Sequence, residues 1–226
     1  MTDSMWRERT NKVRKRDSNA MPKLPEKKKT VLLFFAEKDE ANAYEVSEKC
    51  SLQYSTAHSS VKALEKDGLL RLKLEKINEK GVPTKVYGLT TKGAYWSIYS
   101  VSTWHEKILF AEKWQRLLKP NVVEWLKFIE TLSDTRIEET LNTQIGLSVS
   151  YSDLDFFIDV IDDFFFAMVI LPEMIIFHET YSKVMQRIQS YPRIKEILLK
   201  NLEEQIAWSK EDIEKQIRIK AEFEKF

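Results

Sequence analysis

The sequence is poor in the residues that bend and cross-link a chain. Its 226 residues include one cysteine, five glycines and six prolines. A lone thiol, Cys50, excludes an intramolecular disulfide framework and suits a reducing compartment. Sparse glycine and proline argue against a β-sandwich or barrel, which need tight turns at close intervals, and favour helices. Long apolar runs are missing too. The greasiest stretch, residues 164–171, is stopped by Pro172 and Glu173, far short of the ~20 residues of a membrane helix. The first residues are polar and charged, so no secretory leader is expected and the chain is read as cytoplasmic. Catalytic signatures are also absent: no Gly-rich phosphate loop, nucleophile elbow, HExxH helix or CxxC pair. Neither enzymatic activity nor a cofactor is expected.

A net charge of +1 shows no excess of either sign, but the distribution is uneven. Residues 1–30 hold ten Lys/Arg against four Asp/Glu, residues 31–103 ten against nine, and residues 104–226 sixteen against twenty-two. A basic arm, a near-neutral middle and an acidic remainder read as parts with different partners. Apolar material is ample, at 43% with 12% aromatic, and can fill real cores.

Along the chain, residues 1–23 lack apolar periodicity and read as a flexible basic arm carrying Arg14, Lys15 and Arg16. A short helix over Val31-Leu32-Leu33-Phe34-Phe35 ends near the polar residues 37–40. A two-turn helix follows from Ala43 to Cys50, then a connection through Ser51, Leu52 and Gln53. The next helix runs over residues 54–66, with Ala57, Val61 and Leu64 at i, i+4 and i+7 on one buried face. Its opposite face carries Ser55, Thr56, Ser59 and Lys62. Asp67-Gly68 stops it. The period then changes: Leu70-Arg71-Leu72-Lys73-Leu74-Glu75 alternates as a half-buried strand does, and Lys85-Val86-Tyr87-Gly88-Leu89 reads as its antiparallel partner. Thr90 is placed to cap a further helix. Helix, helix, turn, helix, hairpin, helix is the winged-helix order. Beyond Thr91 only helices are expected: one long helix to Lys119, another over residues 121–132, and a less regular stretch across Gly146. Ser152 is placed to cap an apolar helix reaching Leu171, with more helix on either side of Pro192. The fold class is therefore mainly α with a small β-hairpin wing, divided into an arm (1–23), a winged helix-turn-helix (24–93) and a helical region (94–226).

The stretch Val61-Lys62-Ala63-Leu64-Glu65-Lys66-Asp67-Gly68-Leu69 followed by Gly81-Val82-Pro83-Thr84-Lys85-Val86-Tyr87-Gly88-Leu89-Thr90-Thr91-Lys92-Gly93 resembles prokaryotic and archaeal winged helix-turn-helix transcription regulators of the PadR and MarR kind, the second run being PadR-like. The likeness covers roughly a third of the chain. It implies binding to double-stranded DNA, transcription regulation and a homodimer. It also allows a small hydrophobic effector, lodged against the aromatic set Tyr95, Trp96, Tyr99 and Trp104.

The residues themselves suit DNA. A helix face of small hydroxyl side chains approaches a major groove closely, which nominates Gln53, Ser55, Thr56, His58, Ser59 and Lys62. Lys76, Lys80 and Lys85 on the wing would meet the adjacent phosphates, and Arg14, Lys15 and Arg16 of the arm would follow a minor groove. The alternative is a winged-helix protein-interaction module within a transcription or replication assembly, with the same residues as a solvated face. His58 is also readable as a surface histidine, Cys50 as a packed thiol rather than a redox switch, and the aromatic set as ordinary core. Asp155, Asp159 and Asp162/Asp163 share one helical stripe. A metal there would need Glu173, His178 or Glu179 as further ligands, but no spacing signature links them and no metal is expected. The final helix carries Leu199, Leu202, Ile206, Ile213 and Phe223 at near-heptad spacing, interrupted by Ser209, Gln216 and Lys220. It reads as a pairing seam or as a helix packed on its own domain.

Overall fold

The computed structural model describes residues 24–77, 81, 83–132, 135–150, 158 and 161–223. Helix α1 (Glu26–Glu37) buries Val31, Leu32, Phe35 and Ala36. The two-residue strand β1 (Ala41–Asn42) leads directly into α2 (Ala43–Lys49). Asn42 makes that sharp entry possible. Its side chain accepts from the Tyr44 and Glu45 amides at 2.9 and 3.0 Å, and the Glu45 carboxylate accepts from the Asn42 amide at 2.8 Å. Three backbone N–H groups of the helix start are thereby satisfied, two by the Asn42 side chain and one by that of Glu45. After Cys50 the chain turns through Ser51 at φ 53°, the one described non-glycine residue in the left-handed region. It then enters α3 (Tyr54–Lys66). Ala57, Ser60, Val61 and Leu64 form the buried face of α3, as the 3.6-residue period requires. Strand β2 (Leu70–Ile77) pairs antiparallel with β3 (Pro83–Leu89), and β1 pairs with the other edge of β3, giving the order β1-β3-β2. This is a winged helix-turn-helix with a small three-stranded sheet.

Strand β2 differs from the half-buried strand expected of its alternation. Only Leu70 is buried, and Leu72, Leu74 and Ile77 are exposed. β2 is an edge strand, and a bulge between Leu72 and Leu74 breaks the alternation, so the apolar side chains do not share a covered face.

Thr90 does cap the next helix, α4 (Thr91–Ser100), by accepting from the Gly93 amide at 3.0 Å. The same hydroxyl donates to the Gly68 carbonyl at 2.7 Å. A Cβ on Gly93 would meet the Leu69 carbonyl oxygen at 2.1 Å, so glycine lets α4 seat directly on the α3–β2 junction.

The long helix expected from Thr91 to Lys119 is broken. α4 ends at Ser100, and α5 (Trp104–Lys113) starts afresh behind Thr103, which forms a capping box with Glu106. Lys107 seals the corner. Its ammonium, on a side chain only 1% exposed, donates to the Ile98 and Val101 carbonyls at 3.2 and 2.6 Å. A short 3₁₀ turn (Gln115–Leu117) precedes α6 (Val122–Leu132). Helix α7 (Thr135–Ser150) runs straight through Gly146, where a less regular stretch was expected. The proposed cap Ser152 lies outside the described residues.

Pro172 does not stop the apolar helix either. α8 (Ile161–Phe164) passes through a π-helical segment (Phe165–Ile170) into α9 (Leu171–Ile176). The wider π turn accommodates a proline that has no N–H to give to the preceding turn. Helix α10 (His178–Arg187) and a 3₁₀ turn (Ile188–Ser190) lead to α11, the 32-residue helix Pro192–Phe223.

The buried residues form one continuous cluster from Val31 to Leu198, so the later helices pack on the winged helix without a seam. Trp114 fastens them: its indole N–H donates to the Ala36 carbonyl at 2.8 Å, at the end of α1. Among the described residues no helix is long and apolar enough to cross a membrane.

Candidate nucleic-acid interface

Helix α3 stands at the surface with one face anchored and the other free. Gln53, Tyr54, Ser55, His58 and Ser59 are exposed, while Thr56 and Lys62 are half-buried. Ser59 donates to the Thr56 carbonyl at 3.0 Å, so its hydroxyl is back-bonded to its own helix with its oxygen still open to a donor. Lys62 is held at the flank. It donates to Glu65 at 2.8 Å and lies over the Tyr87 ring, 5.4 Å from the centroid, tying α3 to β3. Those contacts, Glu65 first and then Tyr87, raise its pKa further above the ordinary lysine value.

The wing lysines are paired as well. Lys76 faces Glu40 at 3.4 Å, and Lys85 faces Glu75 at 3.3 Å. All four side chains are well exposed, so each pair contributes at most about 1 kcal/mol and can exchange its carboxylate for a phosphate. Lys80 and the arm residues Arg14, Lys15 and Arg16 lie outside the described residues.

Sequence reasoning missed four exposed side chains on this surface. Tyr54 stacks at a tilt on His58, ring centroids 6.0 Å apart, at the exposed start of α3. Tyr44 projects from α2 and bonds Glu48, which raises its pKa. Arg71 and Lys73 line the outer edge of β2. The stem of Lys73 lies on Gly88, where a Cβ would come within 2.5 Å of Cε. The strict alternation of β2 was the available signal for the last two. Two-sided exposure of an edge strand makes its charged face as available as its apolar one.

The α2–turn–α3 unit flanked by the β2–β3 hairpin is the winged helix-turn-helix surface. No family model matches the chain, and no curated protein matches it. Solved structures of Lactococcus lactis ZitR are similar to it in part. A mutant ZitR aligns at 13% identity and a TM-score of 0.33, covering 59% of this chain and 97% of that one. Wild-type ZitR in complex with DNA aligns at 12% identity and a TM-score of 0.31, with the same coverage. A third structure, described as a zinc-responsive MarR family member, aligns at 12% identity and 0.29, over 68% of this chain and 95% of that one. At such scores the fold assignment rests on this chain's own element order and packing.

The remaining candidate residues are dispersed. Tyr95 and Trp96 are buried within the core of the chain, and Tyr99 is half-buried, edge-on to Trp96 at 5.4 Å. Cys50 is half-buried, and burial followed by the Glu37 carboxylate pushes its thiol pKa up, away from the reactive thiolate. Asp155 and Asp159 lie outside the described residues. Asp162 accepts from the Asn121 amide at 2.8 Å and the Trp125 indole at 2.9 Å, which makes it a clasp between α6 and α8. Asp163 is raised in pKa by partial burial and then by Glu204. Glu173 accepts from Thr140, Glu179 pairs with Lys183, and His178 contacts Ser182. Among the described residues no three His, Cys, Asp or Glu side chains are grouped to hold a metal ion.

Proposed function

We propose that this chain is a transcription regulator that grips duplex DNA with α3 and the wing, and that it does so as a homodimer. The observation that carries the reading is the two-sided character of α3. Ala57, Val61 and Leu64 are fully buried, while Gln53, Tyr54, Ser55, His58 and Ser59 form an outward face of hydrogen-bonding groups with no bulky aliphatic among them. Such a face enters a major groove without steric hindrance and without leaving apolar groups against water. Lys62, Lys76 and Lys85 lie on its flanks, and Arg14, Lys15 and Arg16 of the arm add three further positive charges. The PadR-like subtype draws its support from the run Gly81 to Gly93, in which Thr90 and Gly93 lock α4 against Leu69.

The pairing of Lys62, Lys76 and Lys85 with carboxylates favours a second reading, a winged helix that docks on another protein. Mobility shift of a duplex separates the two. Ser55→Glu with Ser59→Glu places two negative charges on the outward face and leaves the buried face and the Lys62 contacts intact. Under the DNA reading this variant keeps its helical content and loses duplex binding; retained binding would transfer the role to another surface.

A further inference from the structure

Beyond Leu202 the last helix leaves the body of the protein. Ile194, Leu198 and Asn201 are buried against it, whereas every residue from Glu203 to Arg218 is exposed. Most helical stability in a protein comes from packing an amphipathic face rather than from intrinsic propensity. This one has such a face. Leu199, Ile206, Ile213 and Ile217 are 50–61% exposed, and with half-buried Leu202 they fall within an arc of about 60° at 100° per residue. The opposite side carries Lys200–Glu204, Glu211–Lys215 and Glu214–Arg218, three ion pairs at i,i+4 that neutralise one another. One side of α11 is thus mainly charged and internally paired, with Trp208 its one large exposed apolar side chain, and the other side is a continuous aliphatic stripe.

We infer that a second copy of this chain covers the apolar stripe, with the two α11 helices antiparallel about a two-fold axis between residues 207 and 208. That register is self-complementary. Leu202 meets the partner's Ile213, Ile206 meets the partner's Ser209, and Leu199 meets the partner's Gln216, each contact occurring twice as a closed two-fold pair demands. The small Ser209 makes room for Ile206. At the flanks Glu203 faces the partner's Lys210, and Gln205 faces the partner's Asp212, so charge and hydrogen-bonding both match. A parallel pair would set Ser209 on the partner's Ser209 and Gln216 on the partner's Gln216, and would bring no opposite charges together. The inference deepens the homodimer part of the reading above and needs no DNA, so its failure and the failure of DNA binding are separately visible.

Sedimentation equilibrium of the full chain at micromolar concentration tests self-association, with a nitroxide label at Lys220→Cys in a Cys50→Ser background to test direction. The native chain is expected to be dimeric. Ile206→Asp with Ile213→Asp should weaken the dimer at least about a hundredfold while circular dichroism shows the body still folded, since neither residue touches it. Glu203→Lys alone should weaken it roughly tenfold, and adding Lys210→Glu should restore it. The label-to-label distance should be near 37 Å, from 25 residues at 1.5 Å each. A monomeric native chain, a dimer indifferent to the two aspartates, a charge swap without rescue, or a label distance under about 20 Å would each overturn the proposal.

Discussion

The Lys107 ammonium lies 2.6 Å from the Val101 carbonyl and 3.2 Å from that of Ile98, filling the corner between α4 and α5 with a cation that solvent barely reaches. Burial, only partly offset by Glu138 and Glu106, lowers its pKa to about 8. The unfolded chain keeps the ordinary lysine value near 10.4. Below pH 8 both states hold the proton, and the cost of burying the charge is fully present. Between about pH 8 and 10.4 the folded state releases its proton while the unfolded state retains it, so stability rises with pH. Urea titrations of the native chain and Lys107→Met at pH 7 and pH 10 should show the difference moving toward the native chain by up to about 3 kcal/mol. A pH-independent difference would mean that the two carbonyls hold the ammonium charged throughout.

Ser51 carries the helix-turn-helix bend at φ 53°. A side chain in that region costs on the order of 1 kcal/mol, and a β-branched one costs more. Ser51→Gly should be neutral or stabilising, and Ser51→Val destabilising by about 1–2 kcal/mol, as read by thermal unfolding. Equal stability for both variants would place the strain elsewhere.

Gly93 gives the opposite result from its helix propensity. Alanine in a helix normally gains about 1 kcal/mol over glycine. Here the added Cβ would sit 2.1 Å from the Leu69 carbonyl oxygen, which is backbone and cannot swing away. Gly93→Ala should therefore lower stability by about 1–3 kcal/mol in chemical denaturation. A stabilised variant would show that α4 can lift from the α3–β2 junction without loss.

These sites mark where the sequence was readable. The period of Ala57, Val61 and Leu64, the cap at Thr90 and the stop at Gly68 are local patterns, and each appears in the fold where its spacing puts it. The break before α5 was also written locally, as Thr103 with Glu106 three residues on, but the apolar continuity of the flanking residues masked it. Lys107 was not legible, because a lysine reads as surface until the carbonyls that receive it are known. Lys76–Glu40 and Trp114–Ala36 join residues 36 and 78 positions apart, distances at which spacing says nothing. The exposure of Leu72 and Leu74 was hidden for the same reason, since which strand lies at an edge is a property of the whole sheet. The α3 face was legible in its period: the hydroxyl residues follow from it, and the Tyr54–His58 contact follows from the same i,i+4 spacing.

The arm has its own prediction. Deleting residues 1–20 removes six of the basic residues and should weaken duplex binding while leaving the unfolding transition unchanged. A shifted unfolding midpoint would mean that the arm packs on the fold.

The central claim, a cation-mediated grip on duplex DNA, is tested most directly by the salt dependence of binding. Fluorescence anisotropy of a labelled duplex titrated with the full chain, from about 50 to 200 mM salt, gives a slope of log affinity against log salt of about −0.9 per phosphate neutralised. Engagement of Lys62, Lys76, Lys85 and the arm cations predicts a slope of about −4 or steeper, made shallower by about one unit for each lysine replaced by alanine. No binding at low salt, or binding that does not change with salt, would contradict the account.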